Sequence, residues 1–100
     1  MSNDYAVISL VIPIAQVTPS NAIIVNQNDS VSFVCSSSSS AADVTWVNIG
    51  SNQLSGNARQ VANGTLSIAS AQASDTGGYT CNLNNSAGRD ATNVTVFVIG

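Results

Sequence analysis

The sequence predicts an all-β chain folded as a small two-sheet sandwich. Short runs of alternating apolar and polar residues recur along the chain, and they are rich in valine, isoleucine, threonine and phenylalanine. Turn-forming residues separate these runs at intervals of about 8 to 12 residues, which is typical of sandwiches. No apolar stripe at the helical period extends beyond about two turns. With 100 residues, the chain has the length of one domain with one core.

The strands follow from the alternation. Pro13 and Pro19 bracket an edge segment that continues at residues 22–25, because proline donates no ladder hydrogen bond. Further strands are predicted at residues 29–35, 43–49, 65–69, 78–83 and 94–98. The five serines 36–40 and residues 84–90 are predicted loops. Asn63-Gly64 is the strongest hairpin signal, and Gly78 is expected to weaken its strand, because glycine has no side chain to pack.

The N-terminal segment allows two interpretations. Residues 4–12 are β-prone, and residues 7–12 resemble residues 94–99. They are either the end of a preceding, similar domain, with the true domain starting near Pro13, or a longer first strand. We therefore divide the chain into residues 1–12, an extension or the end of a preceding domain, and residues 13–100. The segment lacks a basic start and is too short to cross a bilayer, so we expect any signal or anchor to lie outside this fragment.

Charge excludes several functions. The chain carries five aspartates and two arginines, with no lysine, glutamate or histidine, and its net charge is −3. This balance argues against nucleic acid or an anionic membrane surface as a partner. Catalysis lacks a general base, and no cofactor is expected. The aspartates show no calcium-loop spacing. Asp43 and Asp90 could approach each other at one end, but solvated carboxylates are the favoured interpretation.

The sharpest motif is Asp75-x-Gly77-x-Tyr79-x-Cys81, read together with Cys35 and Trp46. Cys35 and Cys81 lie 46 positions apart, Trp46 follows the first cysteine by 11 residues, and Leu66 precedes the motif at the usual spacing. These residues resemble the immunoglobulin superfamily, and more narrowly its I-set, over about 80 residues. The resemblance implies an immunoglobulin-like, two-sheet antiparallel β-sandwich with Greek-key connections.

The resemblance also implies structural roles. Cys35 and Cys81 would form an intersheet disulfide, which would stabilise the chain by roughly 4 kcal/mol in a chain-entropy estimate. Trp46 would pack against this bridge, and the Tyr79 hydroxyl would bind the backbone at a corner. Leu66 would lie in the core. Asp75 would pair with Arg59, as the corresponding aspartate and arginine of the family do.

Binding is the function that this composition leaves open. The strand register predicts five outward residues on one sheet, three of them apolar, as a candidate partner face: Val47, Ile49, Thr80, Asn82 and Phe97. The shared end of the serine loop and the 84–90 loop is the other candidate. We interpret the chain as a non-catalytic module of an extracellular or cell-surface protein, acting in adhesion or recognition. Its partners would be proteins: a like chain, an unlike one, or neighbouring immunoglobulin domains.

Two other functions keep the same fold. A structural spacer in a tandem array would have no ligand of its own. An intracellular cytoskeletal module would contain reduced cysteines, and the lack of lysine and glutamate disfavours it; a cysteine pair also suits an oxidising compartment. Four Asn-x-Ser/Thr sequons permit glycosylation, and the two in predicted turns are the better candidates. The sequon asparagines are Asn28, Asn63, Asn84 and Asn93.

Overall fold

The computed structural model describes residues 11–54 and 56–100, so most of the segment 1–12 lies outside the described residues. In these described ranges, eight strands form two four-stranded sheets. Their bounds are β1 Ala15–Thr18, β2 Ala22–Asn26, β3 Val31–Ser37, β4 Asp43–Asn48, β5 Ala58–Val61, β6 Thr65–Ile68, β7 Gly77–Asn85 and β8 Gly88–Ile99. Two short 3₁₀ turns, Ala62–Gly64 and Ala73–Asp75, join β5 to β6 and β6 to β7.

The strand order is that of a two-sheet sandwich with crossover connections. One sheet has the order β1-β3-β6-β5 and the other β2-β8-β7-β4. The chain passes between the sheets at most of its connections, which confirms the predicted fold class. One pair departs from the antiparallel pattern, because β2 runs parallel to β8. The chain enters β2 directly from β1, which belongs to the other sheet, through residues 19–21.

The core lies between the inner faces of the two sheets. On β3, Val31, Phe33 and Cys35 are buried and alternate with exposed residues, as predicted. The largest fully buried side chains are Trp46, Tyr79, Phe33, Leu66, Ile68, Leu83, Val94 and Val96. The predicted core positions Trp46, Tyr79 and Leu66 are therefore confirmed. Burial of this set supplies the main driving force for folding.

The disulfide crosses the middle of this core. The Cys35 and Cys81 sulfurs are bonded, with Cα atoms 6.5 Å apart. Cys35 lies on β3 of one sheet and Cys81 on β7 of the other, so the bond joins the two layers. Trp46 is the register partner of Cys81, and its indole Nε1–H donates to the Gly64 carbonyl at 2.8 Å. A Cβ at Gly64 would lie 2.6 Å from the Cys35 carbonyl oxygen, so glycine permits this approach.

The corner before β7 is built around Asp75, which is 1% exposed. Its carboxylate accepts hydrogen bonds from the backbone N–H of Gln72 and from both the backbone N–H and the Nδ2 of Asn57. Burial raises the pKa of Asp75, but these hydrogen bonds outweigh it and hold the pKa below its usual value of 3.8. The Tyr79 hydroxyl donates to the Asp75 backbone carbonyl at 2.7 Å, as the resemblance implied.

The predicted role of Arg59 is wrong. Arg59 lies on β5 with its side chain exposed, and the contacts of Asp75 are with Asn57 and Gln72 instead. The physical reason is which residues of β5 point into the core. Ala58 is the residue of this strand that turns into the core, so Arg59 turns outward and Asn57, just before the strand, reaches the corner.

One polar side chain closes the edge of a sheet. β4 is the outer strand of its sheet, and its free edge faces β5 of the other sheet. The Gln60 side chain spans this gap: its Oε1 accepts from the Trp46 N–H at 2.7 Å and its Nε2 donates to the Val44 carbonyl at 2.8 Å. The side-chain amide thus takes the place of a neighbouring strand along this part of the edge.

Two connections differ from the predictions. The loop predicted at residues 84–90 is a tight turn, because β7 extends to Asn85 and β8 begins at Gly88. The Asn85 Oδ1 accepts from the N–H groups of Ala87 and Gly88, which stabilises this turn. The serine run is partly strand, since β3 extends to Ser37. The Asn63-Gly64 signal does mark the β5–β6 hairpin, whose strands pair from Val61 with Thr65.

Candidate partner face

The outer face of the sheet β2-β8-β7-β4 carries all five residues predicted to face a partner. The register places Val47 beside Thr80 and Thr80 beside Asn93, and one row along it places Asn82 beside Ala91. The exposure of the five differs. Ile49 and Phe97 are 53% and 46% exposed, whereas Val47, Thr80 and Asn82 are only partly exposed. The role of these residues in binding stays a prediction.

The middle of the face is polar and internally bonded. The Thr80 hydroxyl donates to the Asn93 Oδ1 at 2.8 Å. Val47 lies beside Thr80 on β4. In this row, the Thr80 hydroxyl and the Asn93 Oδ1 are already bonded to each other. The middle of the face is therefore polar rather than apolar.

Gly78 shapes the apolar part of the face. The Ile49 N–H donates to the Gly78 carbonyl at 3.0 Å. The Ile49 side chain then crosses over Gly78, so that a Cβ at residue 78 would lie 2.3 Å from the Ile49 Cδ1. The glycine that we expected only to weaken the strand makes room for an isoleucine on the sheet surface.

Phe97 has an apolar neighbour that the sequence analysis missed. Ile24 is the register partner of Phe97 across the parallel β2–β8 pair, and it is 68% exposed. Ile99, two residues further along β8, is 54% exposed. We define the apolar patch as Ile24, Ile49, Phe97 and Ile99. The available signal was the alternation in β2, where Ile23 and Val25 are partly buried and Ile24 faces outward.

The apolar patch is free of charge. Among the described residues, the charged side chains of this outer face are Asp43 and Arg89, which lie with Asn84 in one row at the end of the sheet where β7 turns into β8. The rows that contain Ile49 and Phe97 lie at the other end, together with Thr95 and Ala22. An apolar surface without charges can be desolvated at low cost, which favours contact with another protein.

The two aspartates considered for a metal site lie apart. Asp43 pairs in register with Asn84, whereas Asp90 pairs with Leu83, so the two point to opposite faces of the sheet. The Asp90 Oδ2 accepts from the Ala15 N–H at 2.7 Å, and this bond, with that from Ala91, lowers the pKa of Asp90. Asp90 thus ties β8 to β1. Within residues 11–54 and 56–100, no three metal-ligating side chains cluster.

The sequon asparagines lie in different surroundings. Asn84 and Asn93 are exposed at the end and in the middle of the partner face. Asn28 is exposed and has a positive φ of 76°, and its Oδ1 accepts from Gln72 and Ser70. Asn63 lies in the first 3₁₀ turn. Glycosylation of all four stays a prediction.

The second candidate region, the shared end of the serine loop and the β7–β8 turn, is already in contact with the chain's own N-terminal part. Ser39 and Ser40 donate to the carbonyls of Ile12 and Val11, and Asn85 also donates to Val11. These serines and Asn85 therefore do not form a free recognition loop.

In the described part of the chain, no helix is long and apolar enough to cross a lipid bilayer.

Solved structures of other proteins share this fold. The chain is similar to Drosophila OTK extracellular domains 3–5, with 24% identity and a TM-score of 0.71 over 86% of this chain and 32% of that chain. It is similar to the insect immune protein hemolin, with 26% identity and a TM-score of 0.68 over 84% and 22%. The kinase region of twitchin from C. elegans matches at 28% identity, with a TM-score of 0.63 over 78% and 15%. The chain thus spans about a third or less of each of these polypeptides.

The sequence comparisons give the family. No curated protein sequence matches the chain significantly. The family model for the immunoglobulin domain matches residues 12–85, which includes both cysteines, Trp46 and the corner motif. The I-set subtype stays a prediction. With most of its length covered by this match and with the sandwich and disulfide described above, the chain belongs to the immunoglobulin domain family.

Proposed function

We propose that this chain is a non-catalytic adhesion module of an extracellular or cell-surface protein, and that a second copy of the chain binds its apolar patch. The observation that carries the proposal is the exposed register pair Ile24 and Phe97, with the exposed Ile49 over Gly78 on the same sheet face. Contiguous exposed apolar groups rimmed by polar ones are typical of protein-binding surfaces.

Charge supports a second copy as the partner. The chain has a net charge of −3, so two copies repel each other wherever their acidic groups meet. The rows that contain Ile49 and Phe97 carry no aspartate, so two copies can touch there with Asp43 kept apart. Asp29 lies at the border of the patch, where its carboxylate accepts from the N–H of Asn26, the register partner of Ile99. Hemolin, to which the chain is similar, is a protein whose structure was described with implications for homophilic adhesion.

The disulfide supports the proposed compartment. Disulfides persist in oxidising surroundings and are rare in the cytosol, which supports an extracellular or cell-surface location. Mass spectrometry of the native protein tests this: a mass two units below that of the reduced chain supports the proposal. Free thiols in protein isolated from its source would contradict it.

Sedimentation velocity over a range of concentrations tests the self-association. For the parent chain we expect a sedimentation coefficient that rises with concentration. Phe97→Asp places a charge in the patch, and we expect it to remove this rise. The matched control is Val34→Asp, because Val34 and Phe97 are both 46% exposed but Val34 lies on β3 in the other sheet. A parent chain that stays monomeric at high concentration, or equal effects of both variants, would contradict self-association through the patch.

The alternative function is a structural spacer, and the positions of Val11 and Gly100 at opposite ends of the sandwich support it. Val11 and Ile12 lie at the end of the sandwich where β7 turns into β8. Gly100 lies at the other end, where a Cβ on it would be 3.2 Å from the Gln27 Cβ. The 12 residues of β8 separate these ends by roughly 40 Å. An array of such units would be extended, and a chain that stays monomeric in the sedimentation experiment would support this alternative.

A further inference from the structure

The segment 11–14 is held along one end of the sandwich mainly by side chains. The Ser40 Oγ donates to the Val11 carbonyl at 2.6 Å, and the Ser39 Oγ donates to the Ile12 carbonyl at 2.9 Å. The Ile14 N–H donates to the Ser37 Oγ at 3.2 Å. An extended backbone outside a sheet needs donors and acceptors for its polar groups, and this row of hydroxyls supplies them.

Asn85 completes the arrangement from the neighbouring turn. Its Nδ2 donates to the Val11 carbonyl at 2.9 Å and also to the Ser40 Oγ and the Ala41 carbonyl. Its Oδ1 meanwhile accepts the two N–H groups of the β7–β8 turn. One side chain therefore joins the turn, the serine loop and the entering segment.

Packing adds to these hydrogen bonds. Pro13 is fully buried, which fixes the middle of the segment. Ile12 lies over Gly88, where a Cβ would be 3.2 Å from the Ile12 Cγ1. The Ser38 N–H donates to the Ile14 carbonyl at 2.9 Å. The segment is thus held at four backbone groups, the carbonyls of Val11, Ile12 and Ile14 and the Ile14 N–H, on either side of the buried proline.

We propose that Ser37, Ser39, Ser40 and Asn85 form a clamp that fixes the direction in which the polypeptide enters this domain. The occupant of the clamp is the chain's own segment 11–14. The consequence is a fixed entry point: the backbone at Val11 is held in one direction relative to the sandwich. This inference does not depend on self-association, because the clamp and the apolar patch lie at different ends of the molecule.

The test is ¹⁵N relaxation and amide exchange on the full chain of 100 residues. In the parent chain we expect heteronuclear NOE values at Val11 and Ile12 close to those of the strands. In the double variant Ser39→Ala/Ser40→Ala we expect these values to fall towards those of a mobile tail. The Ile14 amide keeps its acceptor, the Ser37 Oγ, so its exchange reports how far the whole segment loosens, and we expect its exchange rate to rise about fivefold.

Two further variants make the test specific. Ser38→Ala is the matched control, because the Ser38 hydroxyl makes no hydrogen bond within the described residues, and we expect it to behave as the parent. Asn85→Asp keeps the Oδ1 acceptor of the turn but removes the Nδ2 donor, so it should loosen Val11 and leave the β7–β8 turn in place. Mobile Val11 and Ile12 amides in the parent chain, or a double variant that matches Ser38→Ala in all readouts, would overturn the proposal.

Discussion

The two outer faces of the sandwich follow the same alternation but present different surfaces. On the sheet β1-β3-β6-β5, the exposed Val34 and Val61 stand on either side of Thr65 in one row. Arg59 lies in the next row, beside Ser67. On the sheet β2-β8-β7-β4, the exposed Ile24 and Phe97 are direct register partners, with no strand between them. Neighbouring strands, rather than composition, decide whether exposed apolar residues form a patch.

The largest expected effect comes from removing the disulfide that joins the two sheets. The double variant Cys35→Ala/Cys81→Ala should lose roughly 4 kcal/mol of unfolding free energy, because the bond closes a long loop in the unfolded chain. Urea denaturation measures this loss. A variant whose stability lies within about 1 kcal/mol of the parent would show that the sheets hold together without the bond.

The next effect concerns the corner that joins the sheets. Asp75→Asn keeps the shape but weakens the hydrogen bonds to a charged acceptor, so we expect a loss of about 1–3 kcal/mol at neutral pH. Urea denaturation at several pH values measures it. Asp43→Asn, at the exposed end of β4, is the control and should change stability by less than about 0.5 kcal/mol.

The same pair of variants tests the pH dependence. The folded state lowers the pKa of Asp75 below 3.8, so its contribution is present above the unfolded pKa and is lost as the pH falls through the folded pKa. The parent should therefore lose stability below about pH 4 more steeply than Asp75→Asn. Equal acid profiles for the parent and Asp75→Asn would contradict the stabilising role of this carboxylate.

A smaller effect tests how Ile49 packs over Gly78 in the apolar patch. Gly78→Ala places a methyl group where the end of the Ile49 side chain lies. Because a terminal methyl group can rotate away, we expect a stability change below about 1 kcal/mol, but a clear shift of the Ile49 methyl resonances. Ile49→Ala should remove the sensitivity to Gly78→Ala in a double-mutant cycle. Additive effects of the two substitutions would mean that the side chains do not meet.

The smallest effect separates stability from association. Phe97 and Val34 are both 46% exposed, so Phe97→Thr and Val34→Thr should each change stability by no more than about 0.5 kcal/mol. We expect them to differ in sedimentation, where only Phe97→Thr should weaken association. A stability loss specific to Phe97→Thr would indicate that Phe97 belongs to the fold rather than to a partner surface.

Local patterns predicted the fold well because a strand's faces are set by neighbours in sequence. The alternation from Val31 to Cys35 identified the buried side of β3, and the spacing of Trp46, Tyr79 and Cys81 identified the resemblance that proved correct. The same reasoning placed Ile49 and Phe97 on an outer face. These predictions needed only the period of a strand and the positions of its turns.

The remaining features depend on contacts between distant parts of the chain. Ile24 joins the patch only because β2 lies parallel to β8, which no local pattern shows. Asn57 replaces Arg59 at the corner because Ala58 sets the phase of a strand with a weak apolar pattern. The serine run was predicted only to be a loop, since low sequence complexity does not reveal that hydroxyls will meet carbonyls more than 25 residues away.

The Gln60 amide has a consequence for how this domain meets other molecules. Backbone N–H and C=O groups are the same in every protein, so an open strand edge would accept many extended chains, including misfolded ones. Gln60 occupies this position on β4 from within the domain. A polypeptide that binds at this part of the edge must then be recognised through its side chains. Binding there is therefore selective.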